Sequence, residues 1–307
     1  MRGPAVAVAA LAVLVLVGPA RGTEPLRDFG PVFSPDGHTI AFVRVTPVQD
    51  SLMLVGSDGR HLRTLVPNAA ARYLTWSPDG RSLAYAAGRN IWRVDVATGA
   101  TEQLTHDSGD NEDWQPSWSP DGTMIAYDRF ERCFRCTGVW LMQADGSNQH
   151  ELRQDGRRPA WSPDGTKLAL SLSSALVIDP SGEVLLPGGG AYTAWSPRAV
   201  YVATEDRGLR LYNLTTGASR VLTHAIVAKP AWSLDGANIA GESTGLHVTI
   251  VRARDGALVR RFAASNTGGG GPSWSPAGLV AFAHTGSCGI DVARADGTHQ
   301  RRLTRVC

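Results

Sequence analysis

The sequence predicts an all-β fold, a seven-bladed β-propeller of four-stranded antiparallel sheets, and two observations carry that prediction. The five-residue phrase Trp-Ser-Pro-Asp-Gly, or a close variant of it, recurs seven times. Its first residue, called the anchor below, is Phe33, Trp76, Trp118, Trp161, Trp195, Trp232 and Trp274. Successive anchors lie 34 to 43 residues apart, a spacing typical of a four-stranded propeller blade. Six blades are the alternative count.

Each repeat carries the signals of four short strands. In the second copy, the strand that ends at Trp76 is followed by a tight turn at 77–80. The proline of this turn presets its own φ, and the glycine adopts the positive φ that the chain needs before the next strand begins. Apolar alternation follows at 83–85 and 91–96, and a second glycine turn at 97–99 precedes the last strand. Alternation broken by turns at this density favours antiparallel sheet over helix.

A closed ring explains why the sheets repeat. A single sheet of this size leaves its apolar faces exposed, whereas blades that stack around an axis cover one another. The recurrent tryptophan is suited to the space between blades, because an aromatic side chain buries ~150–250 Å². We therefore expect residues 23–307 to form a single propeller domain. Residues 23–31 either lead into the first blade or lie along the last blade and help to close the ring.

The motifs resemble the TolB-type propeller repeat, a variant of the WD40 repeat. The resemblance is carried by the anchor phrase, by the Ile/Leu-Ala-Tyr/Phe that follows it, and by a third strand of the type Ile-Trp-x-x-Asp, and it covers residues 28–306. It implies a propeller fold. TolB has a six-bladed propeller behind an N-terminal α/β domain, for which this sequence leaves no room. The partners of TolB are therefore not carried over.

The first 22 residues have the pattern of a secretory signal peptide. Arg2 precedes an uncharged apolar run at 5–17, and small residues follow at 18–22. The run is shorter than the ~20 residues that span a bilayer, which favours a signal peptide at 1–22 over a membrane anchor. We expect an extracytoplasmic protein, periplasmic or secreted, that is a monomer and has no stable membrane insertion after cleavage.

The charge balance gives no reason to expect a nucleic-acid partner. The sequence contains 30 Lys and Arg against 28 Asp and Glu, a formal net charge of +2. Nucleic-acid-binding domains usually carry a marked basic excess or a basic stripe. No run of basic residues interleaved with aromatic residues is present.

Four cysteines suit an exported protein with two disulfides. Cys288 and Cys307 flank the last hairpin, whose turn at 295–298 would bring them opposite each other and staple the final strand. Cys133 and Cys136 lie in one long loop, where we expect a disulfide that clips the loop. A redox pair or half of a zinc site remains the alternative for this Cys-x-x-Cys.

The candidate binding site lies on the face with the varied loops. Strand order places the Trp-Ser-Pro-Asp-Gly and Asp-Gly turns on one face and the more variable connections on the other, where binding residues usually lie. On that second face, the position three before the anchor carries large side chains, and strand alternation directs them to the mouth of the central channel. These predicted ligand-binding residues are Tyr73, Gln115, Arg158, Tyr192 and Lys229. The alternative is that they pack between blades or contact only water.

Two further patterns suggest chemistry. Asp107, Asp110, Glu112 and Asp113 form an acidic loop that could hold Ca²⁺, with a solvated loop as the alternative; no other cofactor is predicted. The segment 241–245 matches the Gly-x-Ser-x-Gly of a nucleophile elbow, but that chemistry needs a strand-to-helix turn, and here the motif lies between two predicted strands. We interpret it as a chance match and predict no catalytic residue.

These observations favour a non-enzymatic binding or scaffold protein that docks a protein, peptide or glycan on its loop face. One alternative is a metal-dependent lyase or hydrolase at the channel mouth. The other is an accessory propeller resembling that of prolyl-oligopeptidase-type enzymes.

Overall fold

The computed structural model describes residues 26–305 except 107, 108, 110, 132–136, 172–175, 179–183, 188–191, 200, 206–207, 227, 265–270 and 285–288. The predicted signal peptide and all four predicted disulfide cysteines lie outside the described residues, as do Asp107 and Asp110. In the part of the chain that is described, there is no helix of the length and apolarity that crossing a membrane requires.

The described strands form seven four-stranded antiparallel sheets, each a meander of four consecutive strands. Blade one contains β1 Arg27–Phe33, β2 Thr39–Val45, β3 Asp50–Gly56 and β4 Arg63–Val66. Blade two contains β5 Arg72–Trp76, β6 Ser82–Ala87, β7 Asn90–Asp95 and β8 Thr101–Gln103. Blade three contains β9 Glu112–Trp118, β10 Met124–Phe130, β11 Thr137–Gln143 and β12 His150–Arg153.

The other four blades have the same strand order. Blade four contains β13 Arg157–Trp161, β14 Leu168–Ser171, β15 Leu176–Ile178 and β16 Val184–Pro187, and blade five contains β17 Thr193–Trp195, β18 Tyr201–Glu205, β19 Leu209–Asn213 and β20 Ser219–Thr223. Blade six contains β21 Ala228–Trp232, β22 Asn238–Ser243, β23 His247–Arg252 and β24 Leu258–Ala263. Blade seven contains β25 Ser273–Trp274, β26 Leu279–Ala283, β27 Ile290–Arg294 and β28 Arg301–Arg302. The all-β propeller prediction is confirmed.

The seven sheets close into a ring. The first strands of successive blades contact one another, and β1 contacts β25 of the last blade. Two hydrogen bonds join the ends: the Phe33 N–H donates to Ser273 Oγ over 3.0 Å, and Thr304 Oγ1 donates to the buried Asp28 carboxylate over 2.5 Å. Residues 27–33 therefore form the innermost strand of blade one, and closure depends on side-chain packing between the first and last blades.

The anchor tryptophans lie between blades, as predicted. Trp118, Trp161, Trp195 and Trp274 are each only 9% exposed. In four blades the indole N–H also donates to a backbone carbonyl of the preceding blade, that of the residue just before its anchor. These bonds are Trp76 to Val32 (3.1 Å), Trp161 to Ser117 (3.2 Å), Trp195 to Ala160 (2.8 Å) and Trp274 to Ala231 (3.0 Å). Each bond fixes the angle between two sheets as well as their distance.

One face of the ring, called the turn face below, repeats one hydrogen-bond network. In blade three, Ser119 Oγ donates to Asp121 Oδ1 over 2.6 Å, and the Thr123 N–H donates to the same oxygen over 3.0 Å. The same 2.6 Å Ser–Asp bond occurs in blades one, two, four and six. These bonds to the charged carboxylate lower the pKa of Asp121, with the Ser119 hydroxyl as the largest cause. The Asp-Gly turns join this face, since the Ala144 N–H donates to the Thr123 carbonyl.

Candidate functional site: a polar channel mouth

The five predicted ligand-binding residues lie around one cavity of about 280 Å³. Its lining is completed by Thr193 and Gly271, so blades two to seven each contribute to it. A cavity bordered by the first strands of six blades lies on the axis of the ring, and we call it the channel mouth. A second cavity shares four of the seven lining residues, Tyr73, Gln115, Arg158 and Gly271, and adds residues of blade one, among them Gly30 and Val32. Whether the five residues bind a ligand stays a prediction.

A β-bulge in the first strand places four of these five side chains, all except Tyr192. In blade three, Trp114 pairs with Asp128 and Ser117 pairs with Ala126, so two residues, Gln115 and Pro116, stand opposite one residue of β10. The same irregularity interrupts the first strands of blades one, two, four and six. A bulge bends the strand and redirects the side chain of the extra residue. The position three before the anchor is therefore directed by the bulge, and not by the simple alternation that the sequence analysis assumed.

The bulge holds four of the five side chains on a left-handed backbone. The φ angles are 54° for Tyr73, 52° for Gln115, 53° for Arg158 and 49° for Lys229. In blade one the equivalent residue is Gly30, with φ of 64°. Glycine adopts this region without steric cost, whereas other residues in sparsely populated regions cost about 1–3 kcal/mol each. Four long side chains are thus kept at positions where glycine would be conformationally easier.

Aromatic rings and charges organise the mouth. The Arg158 guanidinium lies over the Tyr192 ring, 4.2 Å from its centroid. Tyr73 meets Trp114 edge to face, with centroids 5.8 Å apart. Lys229 Nζ donates to Glu242 Oε1 over 3.0 Å, in an ion pair whose side chains are 14% and 10% exposed. The cation–π and edge-to-face contacts each contribute roughly 0.5–1.5 kcal/mol and restrict the rotamers of the rings.

A buried carboxyl group, Asp128, supports the strained backbone of Arg158. Asp128 has no exposed surface, and its Oδ1 accepts the Arg158 N–H over 2.6 Å. Its Oδ2 has no hydrogen-bond partner among the described residues. Burial raises the pKa of Asp128 to about 8, although the Arg158 N–H and the charges of Arg157 and Arg158 act in the opposite direction. At neutral pH the group is mostly the uncharged acid.

The predicted calcium ligands that are described have other partners. Both oxygens of the buried Asp113 accept from the Arg129 guanidinium, over 2.8 and 2.9 Å. Glu112 accepts from the Trp114 indole over 3.2 Å and pairs with Arg89 over 3.3 Å. Asp107 and Asp110 lie outside the described residues, and within these no group of three or more His, Cys, Asp or Glu side chains could hold a metal ion. A calcium site at this loop stays a prediction, and Asp113 could join it only by releasing Arg129.

Ser243 of the Gly-x-Ser-x-Gly match is a strand residue. It ends β22, is 9% exposed, and its Oγ accepts from Thr249 Oγ1 over 2.7 Å. His247 begins the next strand, β23, and its ring nitrogen lies 3.4 Å from the Thr244 carbonyl. The segment therefore connects two strands and does not form the strand-to-helix turn of a nucleophile elbow.

Sequence reasoning missed the bulges, Thr193, and the buried acids Asp128 and Glu242. The signal for the bulges was present, because a proline follows the bulged residue in four of the five bulged strands: Pro31, Pro116, Pro159 and Pro230. Proline lacks an N–H and is confined to edges and bulges within sheets. The signal for the acids is a carboxylate near the end of the second strand, directly after its apolar residues, as Asp128 in Met124–Phe130.

The closed ring of antiparallel blades around a polar axial cavity defines a β-propeller. The comparisons with known proteins agree with this class. Residues 46–133 match the family model of the dipeptidyl peptidase IV N-terminal region. A curated relative, "Uncharacterized protein Atu1656" of Agrobacterium fabrum, is 32% identical over 123 residues. That match covers 38% of this chain and spans about 40% of the length of the relative.

Three solved structures share the fold. An oligogalacturonate lyase in complex with manganese superposes with a TM-score of 0.69 at 15% identity, covering 84% of this chain and 86% of that one. Hydrazine synthase of Kuenenia stuttgartiensis superposes with a TM-score of 0.70 at 16% identity, covering 92% of this chain and 99% of that one. TolB of Acinetobacter baumannii superposes with a TM-score of 0.55 at 18% identity, covering 87% of this chain and 63% of that one. These likenesses show a β-propeller fold and leave both the TolB-type repeat and the function open.

Proposed function

We propose that the protein is a TolB-type, extracytoplasmic binding propeller, and that part of a protein, peptide or glycan ligand enters the channel mouth. The observation that carries the proposal is the set of four long side chains held at positive φ around one cavity. Backbone strain concentrates where function retains it. A propeller that needed the bulges only for packing would be served by glycine, as at Gly30.

The composition of the mouth also suits binding. Tyrosine, arginine and an amide provide amphipathic contact area together with hydrogen-bond donors, which is the residue mixture of interface hot spots. The Arg158–Tyr192 stack fixes two of these side chains before a ligand arrives. Restricting them in advance lowers the entropy lost on binding.

A capture experiment with a mouth variant tests the proposal. The secreted full-length product is immobilised and challenged with an envelope extract, a peptide array and a glycan array. In the test variant Tyr73, Gln115, Arg158 and Lys229 are each changed to glycine, which the backbone accepts. The control variant is Arg60→Ala on the turn face, where the Arg60 side chain is 81% exposed.

We expect ligands that the wild type and the Arg60→Ala protein retain and that the mouth variant loses, with far-UV circular dichroism unchanged in all three. Ligands that bind the mouth variant as well as the wild type would overturn the proposal. Metal analysis of the purified protein addresses the lyase or hydrolase alternative, because one tightly held equivalent per chain would favour it.

A further inference from the structure

We propose that the channel mouth selects a ligand through a carboxylate group, which Arg158 and Lys229 bind. This inference rests on the proposed function and narrows it to a class of ligand. The residues that line the mouth include two cations, two phenols, an amide and a hydroxyl, and none of them is acidic. An anionic group entering the cavity therefore meets hydrogen-bond donors on several sides, and no carboxylate is among the lining residues.

Arg158 is positioned for bidentate recognition. Its backbone is fixed by the 2.6 Å bond to Asp128, and its guanidinium is stacked on Tyr192. A planar guanidinium presents a fork of N–H donors that matches the two oxygens of a carboxylate. Contact with the ring uses the face of a guanidinium, whereas its N–H groups bind partners that lie in its plane.

The two buried acids beside the mouth leave no uncompensated carboxylate facing it. Glu242 pairs with Lys229, whose ammonium has three donors, so that the pair is neutral and still offers hydrogen bonds. Asp128 is mostly protonated at neutral pH, since burial raises its pKa to about 8. Neither acid therefore adds an uncompensated negative charge to the mouth at neutral pH.

The volume of the mouth limits how much of the ligand enters. A cavity of about 280 Å³ corresponds to roughly nine water molecules at ~30 Å³ each. It accommodates one carboxylate-bearing unit of the size of a sugar ring or an amino-acid residue. A peptide end and an acidic sugar both present this chemistry, and the experiment distinguishes the two sources.

The experiment compares probes that differ only in the carboxylate. One pair is galacturonate and galactose, and the other is a short peptide with a free or an amidated C-terminus. Affinities of the full-length secreted protein are measured by calorimetry at pH 7 in about 20 and about 200 mM salt. The variants are Arg158→Gln, which removes the charge, and Arg158→Lys, which keeps the charge without the fork.

We expect the charged member of one pair to bind about tenfold more tightly than its neutral partner. Arg158→Gln should abolish that preference, and Arg158→Lys should retain part of it. The pair that shows the preference identifies the source of the carboxylate. Equal binding within both pairs, a preference that survives Arg158→Gln, or no charged probe binding below about 10 mM would overturn the inference. Neutral ligands captured through the mouth would leave the proposed function standing and refute only this inference.

Discussion

The two faces of the ring use the same left-handed backbone geometry in opposite ways. On the turn face, glycine occupies the positive-φ position of the anchor turn in six blades, and Ala199 occupies it in blade five. Around that position the same serine and aspartate hydrogen bonds recur in five blades. At the mouth, the positive-φ position carries a different long side chain in each of four blades, and an adjacent buried carboxyl leaves one oxygen without a described partner.

This difference is the one expected if the turn face stabilises the fold and the mouth serves the proposed binding. The turn face satisfies its polar groups locally and has glycine at the positive-φ position of the anchor turn in six blades, so that each of these turns is stabilised within its own blade. The mouth keeps strained backbone and a poorly satisfied buried acid, features that lower stability and persist where the surrounding structure holds them. Substitutions at the two faces should therefore change stability in different directions.

The largest difference should appear in the pH dependence of stability when Asp128 is replaced by asparagine. The folded pKa of Asp128 is about 8, and its reference value is 3.8. Between about pH 4 and pH 8 the folded protein keeps a proton that the unfolded chain has released, so the stability from this group falls as pH rises, by up to about 1.4 kcal/mol per pH unit. The asparagine side chain does not titrate. We expect denaturant unfolding from pH 5 to pH 8 to show the Asp128→Asn variant losing less stability than the wild type.

The matched control is Asp121→Asn on the turn face. The folded pKa of Asp121 is lowered, so its contribution is present above the unfolded value near 3.8 and is lost as the pH falls through the folded pKa. The Asp121→Asn deficit should therefore stay constant from pH 5 to pH 8 and shrink only in more acidic solution. Parallel stability curves for wild type and Asp128→Asn from pH 5 to pH 8 would contradict the assignment of a raised pKa to Asp128.

The second prediction concerns the turn-face network. Ser119→Ala removes the hydroxyl that donates to Asp121 and accepts the Met124 N–H over 2.9 Å. Ser119 is 4% exposed, so the Met124 N–H loses its partner where water hardly reaches. We expect the free energy of unfolding to fall by about 1–2 kcal/mol, as measured by urea unfolding at pH 7.

Blade five provides the comparison, because Arg198 replaces the turn aspartate there. Ser196 accepts the Tyr201 N–H over 2.9 Å and has no turn carboxylate to donate to. Ser196→Ala should therefore cost less than Ser119→Ala. Equal costs in the two blades would show that the aspartate adds nothing to the turn and would weaken the contrast between the faces.

The two faces also differ in how much of their structure can be predicted from the sequence. The turn face is predictable, since its chemistry is local: Ser119, Asp121 and the following N–H lie within five residues of one another. The position of Trp161 between two blades is predictable from the repetition, because similar blades pack in the same way. The mouth is only partly predictable. Counting three residues back from each anchor identifies Arg158 and its equivalents. The bulge that directs their side chains depends on pairing with the second strand of the blade, which the local sequence does not give.

The role of Asp128 could not be derived from the sequence. Its partner, the Arg158 N–H, lies 30 residues away on the next blade, and its pKa depends on burial by residues of several strands. Sequence reasoning likewise placed Asp113 in a loop with metal-binding potential. The structure pairs that residue with Arg129, 16 positions away on the adjacent strand.

The smallest effect, and the one with the opposite sign, should follow from Gln115→Gly. The Gln115 side chain lines the mouth, and its φ of 52° is costly for any residue with a Cβ. Glycine relieves that strain, while its greater freedom in the unfolded chain offsets part of the gain. We expect stability to be unchanged or to rise by up to about 1 kcal/mol, measured by thermal and urea unfolding.

Gln115→Ala isolates the cause of that effect, because alanine removes the polar side chain and keeps the strained Cβ. If strain at the bulge is what the mouth retains for binding, the glycine variant should be more stable than the alanine variant, and both should lose the ligand contact that the amide provides. A glycine variant less stable than the alanine variant would mean that the left-handed backbone is not strained at this position. The four side chains at the mouth would then need no functional explanation, and the contrast between the two faces would reduce to a difference in hydrogen bonding.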